Sequence, residues 1–457
     1  MRTPALLLSL GLTLGLLVSA PAQAQERESA LDRYVKKPQP SYAWVQRKAE
    51  ARPGGVSWVR FHLTSQEWRG INWKHRLNLI VPPPATGERA RPGHAVLVIT
   101  GGGREDQLLM VITPLAQRLG VPIAILHDVP NQPLFREETG RKLKEDALIA
   151  YTFKRFVETG DETWPALFPM VKSAMAAMDC LGEYSAKQGQ SWPFARLNKF
   201  VTTGGSKRGW TTWLSAVADS RVIGIAPIVY DNLKVGEQIA LHMKTFGRPS
   251  PSIHDYTDAG LLDYMPTPRG RQLMRMVDPW SYRERITVPK MAMIGTNDTY
   301  WPLESIHVYA HELPGDVYCH YVPGAGHGAG LSVLGAAAGF FDFVTKRTPD
   351  LPEVKMTILP GDRAASFRAL RQPKRIERVR LWGSHVAGRD FTKSEWKRVE
   401  APRAGQRWRA SLPVAVDRRE GRAAFIGELE LKDSAGEVFT IHTPVQVWDL
   451  GRASASE

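Results

Sequence analysis

Residues 199–218 set an extended run, Lys199-Phe200-Val201, ahead of Thr202-Thr203-Gly204-Gly205-Ser206-Lys207-Arg208-Gly209-Trp210, with a helix-like run behind it to Ala218. A serine between glycines where a strand turns into a helix sits on a very sharp bend. Side chains two before it, and two or three after it, must be tiny. Gly204 meets the first requirement. The second is met one position late, at Gly209, because Arg208 stands where a small residue is usual. The spacing Gly-x-Ser-x-x-Gly describes an exposed nucleophile, and equally a glycine-rich turn with a helix-capping serine.

The surrounding chain narrows the choice. Apolar runs that read as buried strands alternate with segments of helical spacing. Residues 94–100 end in Gly101-Gly102-Gly103, and residues 122–126 lead into His127-Asp128-Val129-Pro130-Asn131-Gln132-Pro133. Residues 222–229 end at Tyr230-Asp231, residues 289–294 at Gly295-Thr296-Asn297-Asp298, and residues 317–322 at Pro323-Gly324-Ala325-Gly326-His327-Gly328. Helical patterns fall at 107–119, within 134–163, and at 165–184 and 331–345. Such alternation spells a parallel sheet covered on both faces. Three earlier segments, 42–45, 56–64 and 73–81, read as antiparallel strands. Residues 232–285, broken by Pro249, Pro251, Pro266 and Pro268, read as an insertion over the sheet.

Beyond a linker at 348–352 the pattern becomes short alternating segments at 355–359, 376–386, 408–414, 423–431 and 438–448, the mark of a small β-sandwich. The expected organisation is a leader at 1–24, an α/β unit at 25–347 and an all-β unit at 353–450. Arg2, the Leu-rich run 5–18 and Ala22-Gln23-Ala24 carry the leader reading, which implies export to periplasm or medium. No later stretch has membrane-spanning length. In an oxidising compartment Cys180 and Cys319 either pair or stay buried thiols. A formal charge of +14 and a pI near 9.7 favour an anionic envelope surface as partner. The basic residues are scattered and no nucleic-acid motif accompanies the densest cluster at 371–380, so nucleic-acid binding is not expected.

Ser206, Asp298 and His327 each fall just past the carboxyl end of a predicted strand, the edge at which an open parallel sheet binds ligands. Their chain order, serine then acid then histidine, is that of α/β-hydrolases. A serine hydroxyl is a weak nucleophile until an imidazole takes its proton, and a carboxylate fixes the imidazole's tautomer and charge. Asp231, after the strand that follows the nucleophile, is the alternative acid. An oxyanion hole is expected from the amide of Lys207 and from Gly102 or Gly103. Lys207 and Arg208 oppose the macrodipole of the helix they open, at about 0.3 to 1 kcal/mol each. One of them is therefore expected to point to an acidic partner such as Asp231 or Asp106, or to face an anionic group on the substrate. Trp210, Trp213, Trp280 and Trp301 wall a cleft or fill a core. Arg208, Trp210, Asn131 and Trp301 are the candidate substrate contacts. No metal or organic cofactor is required.

With Gly204-Gly205-Ser206-Lys207-Arg208-Gly209-Trp210-Thr211-Thr212-Trp213 in view, the chain resembles the PhoPQ-activated pathogenicity-related protein family. The likeness extends over most of residues 30–345 and takes in Pro40-Ser41-Tyr42, Thr100 to Gly103, Asp128 to Pro133, Ile294 to Asp298 and Gly326-His327. It implies export and an α/β-hydrolase fold, and names no substrate. The elbow is similar to the Gly-Gly-Ser-Lys-Gly-Gly of secreted serine aminopeptidases, and more loosely to the Gly-Cys-Ser-Arg-x-Gly of glucuronoyl esterases. The expected activity is serine hydrolysis, leaning to peptide or amide bonds, with acyl or uronate esters, or a non-catalytic envelope-binding role, as alternatives.

Overall fold

In the computed structural model, which describes residues 28–84, 93–345, 350–359, 363–414 and 420–450, the leader expected at 1–24 lies outside the described residues. A short helix, α1 (Ala30–Lys36), is started by a capping box between Ser29 and Asp32. An antiparallel meander follows: β1 (Ala43–Arg52), β2 (Val56–Trp68) and β3 (Ile71–Val81). Next come β4 (His94–Ile99), α2 (Glu105–Leu119), β5 (Ile123–Leu126), α3 (Arg136–Thr139), α4 (Glu145–Thr159), α5 (Leu167–Lys187), β6 (Lys199–Gly205), α6 (Lys207–Ala218) and β7 (Val222–Ile228). Helices α7 (Val235–Phe246), α8 (His254–Asp258), α9 (Leu261–Tyr264) and α10 (Pro268–Val277) make up the insertion. The series closes with β8 (Lys290–Gly295), β9 (Val317–Val322) and α11 (Val333–Val344).

Hydrogen bonding orders these strands β1-β2-β3-β5-β4-β6-β7-β8-β9. From β5 to β9 neighbours run parallel, whereas β3 meets β5 antiparallel. Every residue of β5 and β8 is buried, because helices cover both faces. Leu148, Ala174 and Trp213 of α4, α5 and α6 pack one core, and Leu109 and Phe340 of α2 and α11 pack the other. From β4 the chain passes to β5 on one side, and the strand after that, β6, lies on the other side of β4. The crevice at this switch lies at the carboxyl ends of β4 and β6.

The later residues form two β layers. One consists of β10 (Glu353–Leu359), β11 (Ala364–Arg371), β14 (Arg403–Ala404) and β15 (Arg407–Ser411); the other of β12 (Arg378–Val386), β13 (Lys397–Glu400), β16 (Arg422–Lys432), β17 (Val438–His442) and β18 (Gln446–Asp449). Their inner faces share a core that includes Phe367, Trp408, Leu381 and Phe425. The second layer is continuous with the main sheet, since His442 of β17 bridges Cys319 of β9. Cys319 and Cys180 are separate, buried thiols.

Three departures from the predicted strands have physical causes. The strand expected at 42–45 runs to Arg52, because β1 is a mostly exposed edge with little alternation to read. The one expected at 438–448 is two, parted near Pro444, which has no N–H for a ladder. β11 carries no strand signal in the sequence, since Ala, Ser and Arg dominate it and favour strands weakly.

Candidate active site

Ser206 ends β6 and opens α6 with φ 55° and ψ −123°, a backbone conformation that a non-glycine residue rarely adopts. The bend needs the glycines on either side. A Cβ on Gly204 would come within 2.9 Å of the Ile99 carbonyl oxygen, and one on Gly209 within 2.8 Å of the Tyr230 Cβ. The displaced second glycine is thereby explained: position 209, one turn into the helix, is where α6 crosses the end of β7. Arg208 is tolerated because its side chain runs beneath Gly101, where a Cβ would collide with the guanidinium.

The loops after β8 and β9 are knitted together. Asn297 donates its amide to the Ala325 carbonyl at 2.9 Å, Gly324 donates to Thr296 Oγ1 at 2.8 Å, and a Cβ on Gly295 would strike the carbonyls of Ala325 and Gly326. This close crossing delivers His327 to Asp298. His327 Nδ1 lies 2.9 Å from Asp298 Oδ2 and 3.0 Å from Oδ1, and its Nε2 lies 2.8 Å from Ser206 Oγ. With Nδ1–H donating to the carboxylate, Nε2 is the acceptor for the serine hydroxyl. Asp298 is buried, while His327 and Ser206 are partly open. Asp231, the alternative acid, is buried elsewhere: Tyr309 donates to its Oδ1 at 2.5 Å. Burial, with the nearby charge of Asp298, pushes its carboxyl up to about 7.

The cations of the first turn of α6 are matched by acids other than those anticipated. Neither Asp231 nor Asp106 holds them; Glu145 and Asp146, which open α4, do. Arg208 donates to both oxygens of Glu145 at 2.7 Å and to the Val129 carbonyl at 2.5 Å. Lys207 Nζ donates to Asp146 at 3.0 Å. Burial alone would raise the Glu145 carboxyl, but Arg208 and Lys207 hold it at about 2. Arg208 is thus buried in an internal pair. Asp106 pairs with Arg60 instead.

As the first residue of α6, Lys207 presents a backbone N–H that no carbonyl of its own helix can take. Ile99 pairs with Gly204 across the sheet, so the Gly101-Gly102-Gly103 loop after β4 adjoins the elbow. Thr100 Oγ1 donates to the Gly102 carbonyl at 3.2 Å, and Gly103 has φ 106°.

Beside Ser206 a cavity of about 80 Å³ opens under α7 to α10, walled by Phe153, Trp210, Tyr256, Leu273 and Trp301 among others. Trp210 is stacked on Tyr230 at 5.0 Å between ring centroids, and its indole N–H donates to the Val277 carbonyl at 2.6 Å. Trp213 is core, packed edge-on against Tyr309, and Trp280 lies under Lys234 and Arg283. Asn131 does not reach the cavity, because its amide group is bonded to both backbone groups of Lys74. Sequence reasoning missed Tyr300, which stacks on His327, and the acids Glu145 and Asp146. Among the described residues no group of three His, Cys, Asp or Glu side chains is arranged to hold a metal ion.

The strand order with its reversal at β4 and β5, the strained serine after β6, the acid after β8 and the histidine after β9 define an α/β-hydrolase fold. Within that class the chain belongs to the PhoPQ-activated pathogenicity-related protein family, which matches residues 31–392. Autocrine proliferation repressor protein A of Dictyostelium discoideum is 30% identical over 313 residues, 65% of this chain and 60% of that protein, so the chain spans about 60% of the length of this curated relative. Among solved structures, an acetyl xylan esterase from Paenibacillus sp. R4 is similar with a TM-score of 0.45 and 16% identity, over 65% of this chain and 86% of its own. A glucuronoyl esterase from Solibacter usitatus is similar with a TM-score of 0.38 and 13% identity, over 65% and 86% respectively.

Proposed function

We propose that the protein is an exported serine hydrolase that cleaves a carboxylic ester by acyl transfer, with Ser206 as nucleophile, His327 as general base and then acid, and Asp298 as the group that orients the imidazole. The observation that carries this reading is the unbroken line from Asp298 through His327 to Ser206 Oγ, with both links under 3 Å. Ser206 Oγ bonds to the acyl carbon as its proton passes to His327 Nε2. The C–O bond of the ester then breaks, and the leaving alcohol takes that proton. Water, activated by the same imidazole, releases the acid and restores the serine. The amide of Lys207 and one from Gly102 or Gly103 are suited to receive the oxyanion.

An ester is favoured over the bond beside a peptide terminus by the charges around the elbow. Recognition of a peptide terminus calls for an unpaired charge beside the nucleophile, whereas Lys207, Arg208, Glu145 and Asp146 neutralise one another. The test is labelling by a fluorophosphonate probe, together with panels of ester and peptide substrates. Labelling and ester turnover should both vanish in Ser206→Ala. Failure of folded wild type to label would overturn the reading in favour of an envelope-binding protein, and faster turnover of peptides than of esters would move the bond to an amide.

A further inference from the structure

Resting on the serine hydrolase reading, we infer that the acyl group transferred to Ser206 is short, uncharged and aliphatic, and that it is held in the cavity beneath α7 to α10. Three observations lead there: which side of the serine the cavity lies on, what its charges do, and how large it is.

The leaving oxygen must receive its proton from His327 Nε2, so the alcohol departs on the histidine side. Ser206 and Lys207 line the cavity and His327 does not. The cavity therefore takes what remains bonded to the serine, the acyl part.

Among the described lining residues, Lys207 and Asp146 are the only charged ones. They are bonded to each other at 3.0 Å, and the Asp146 carboxylate also accepts from Tyr256 Oη at 2.8 Å and Tyr300 Oη at 3.1 Å. An ionised acyl chain would meet no free counter-charge and would be stripped of water against Phe153, Trp210 and Leu273. An apolar chain gains from the same surface.

The volume of about 80 Å³ sets the length. It is half of the roughly 150 Å³ cavity that admits benzene, which suits an acyl chain of about three to five carbons better than an aromatic ring. The walls resist expansion. Trp210 is anchored at both its ring face and its N–H, and Tyr256 ties the roof to Asp146.

The test keeps the leaving group constant: kcat/KM for p-nitrophenyl acetate, butyrate, valerate, octanoate, benzoate and hemisuccinate. Butyrate or valerate should lead. Octanoate, benzoate and hemisuccinate should each fall by about tenfold or more, the scale on which apolar pockets discriminate. Leu273→Ala should move the optimum to longer chains and Leu273→Phe towards acetate, with circular dichroism verifying the fold. Binding of butyramide to Ser206→Ala protein, followed by the fluorescence of Trp210 and Trp301, reads the cavity without turnover. Ser206-dependent hydrolysis with benzoate or hemisuccinate as good as butyrate overturns the inference and leaves the hydrolase standing. Saturable butyramide binding without any ester turnover keeps the apolar pocket and removes the enzyme. Neither binding nor turnover removes both.

Discussion

The ring of Tyr300 lies on the imidazole of His327, with centroids 3.9 Å apart and planes inclined at 25°. The same residue gives its backbone amide to Asp298 Oδ1 at 2.8 Å and its hydroxyl to Asp146 at 3.1 Å. One tyrosine therefore touches the histidine, the acid that orients it, and the acid that neutralises Lys207. The electron-rich face of a phenol is a favourable neighbour for an imidazole that would become positive in the proposed reaction.

Tyr300→Ala should lower kcat on p-nitrophenyl butyrate by about 3- to 30-fold, the worth of a cation–π contact of roughly 0.7 to 2 kcal/mol. Tyr300→Phe keeps the stack and should retain most of the rate. Equal losses in the two variants, at unchanged fold, would assign the effect to the hydroxyl on Asp146 and not to the ring.

The two buried acids separate cleanly. Asp298→Asn should cost about 10⁴-fold in kcat, as the imidazole loses its tautomer and its counter-charge. Asp231→Asn should leave kcat within about threefold, because Asp231 answers to Tyr309 and not to His327. A larger loss for the second than for the first would exchange their roles.

Asp231 should also shape stability against pH. Its carboxyl is raised from an ordinary 3.8 to about 7, so between those values the folded protein keeps a proton that the unfolded chain has released. Stability contributed by this group is whole below 3.8, falls as pH rises towards 7, and is level above it. Relative to wild type, Asp231→Asn should gain stability from pH 4 to 7, by at most about 1.4 kcal/mol per pH unit. Urea unfolding at several pH values reads the difference directly, and a constant difference would mean that Asp231 is ionised throughout.

Arg208 should matter for the fold and little for substrate charge. Arg208→Ala removes the partner of the Val129 carbonyl and one of the partners of Glu145 and should destabilise by about 2 to 3 kcal/mol in urea unfolding. Glu145→Gln should cost about 1 kcal/mol or less, since that side chain is 44% exposed and water can replace part of the interaction. Gly101→Ala should resemble Arg208→Ala by displacing the guanidinium. A stable Arg208→Ala protein that fails only on anionic esters would place the arginine in substrate binding after all.

What the chain disclosed in advance follows from what leaves a local trace. Buried strands leave continuous apolar runs, and each of Ser206, Asp298 and His327 stands within a few residues of the end of one, so both the sheet and the juxtaposition of the three could be read. The late glycine at 209 has no local rationale in the elbow motif, because its reason is the close approach of Tyr230. Glu145 and Asp146 carried no distinguishing mark, because an acidic pair in the first turn of a helix is what the macrodipole favours anyway. Tyr300 follows the acid at a spacing that means nothing until the β9 loop folds over it. The meeting of β17 with β9 joins residues 123 positions apart through a single bridge, His442 to Cys319, and no local pattern encodes such a pairing.

The grip on Asn297 has a consequence for how the chain can be divided. Its side-chain amide donates to the Ser394 carbonyl at 2.8 Å and accepts from the Trp396 indole at 3.1 Å, both far along the chain, while its next neighbour is Asp298. The loop between β12 and β13 therefore acts as a clamp on the loop that carries Asp298. A protein shortened after α11 would not be a leaner hydrolase; it would be one whose aim had been loosened from behind.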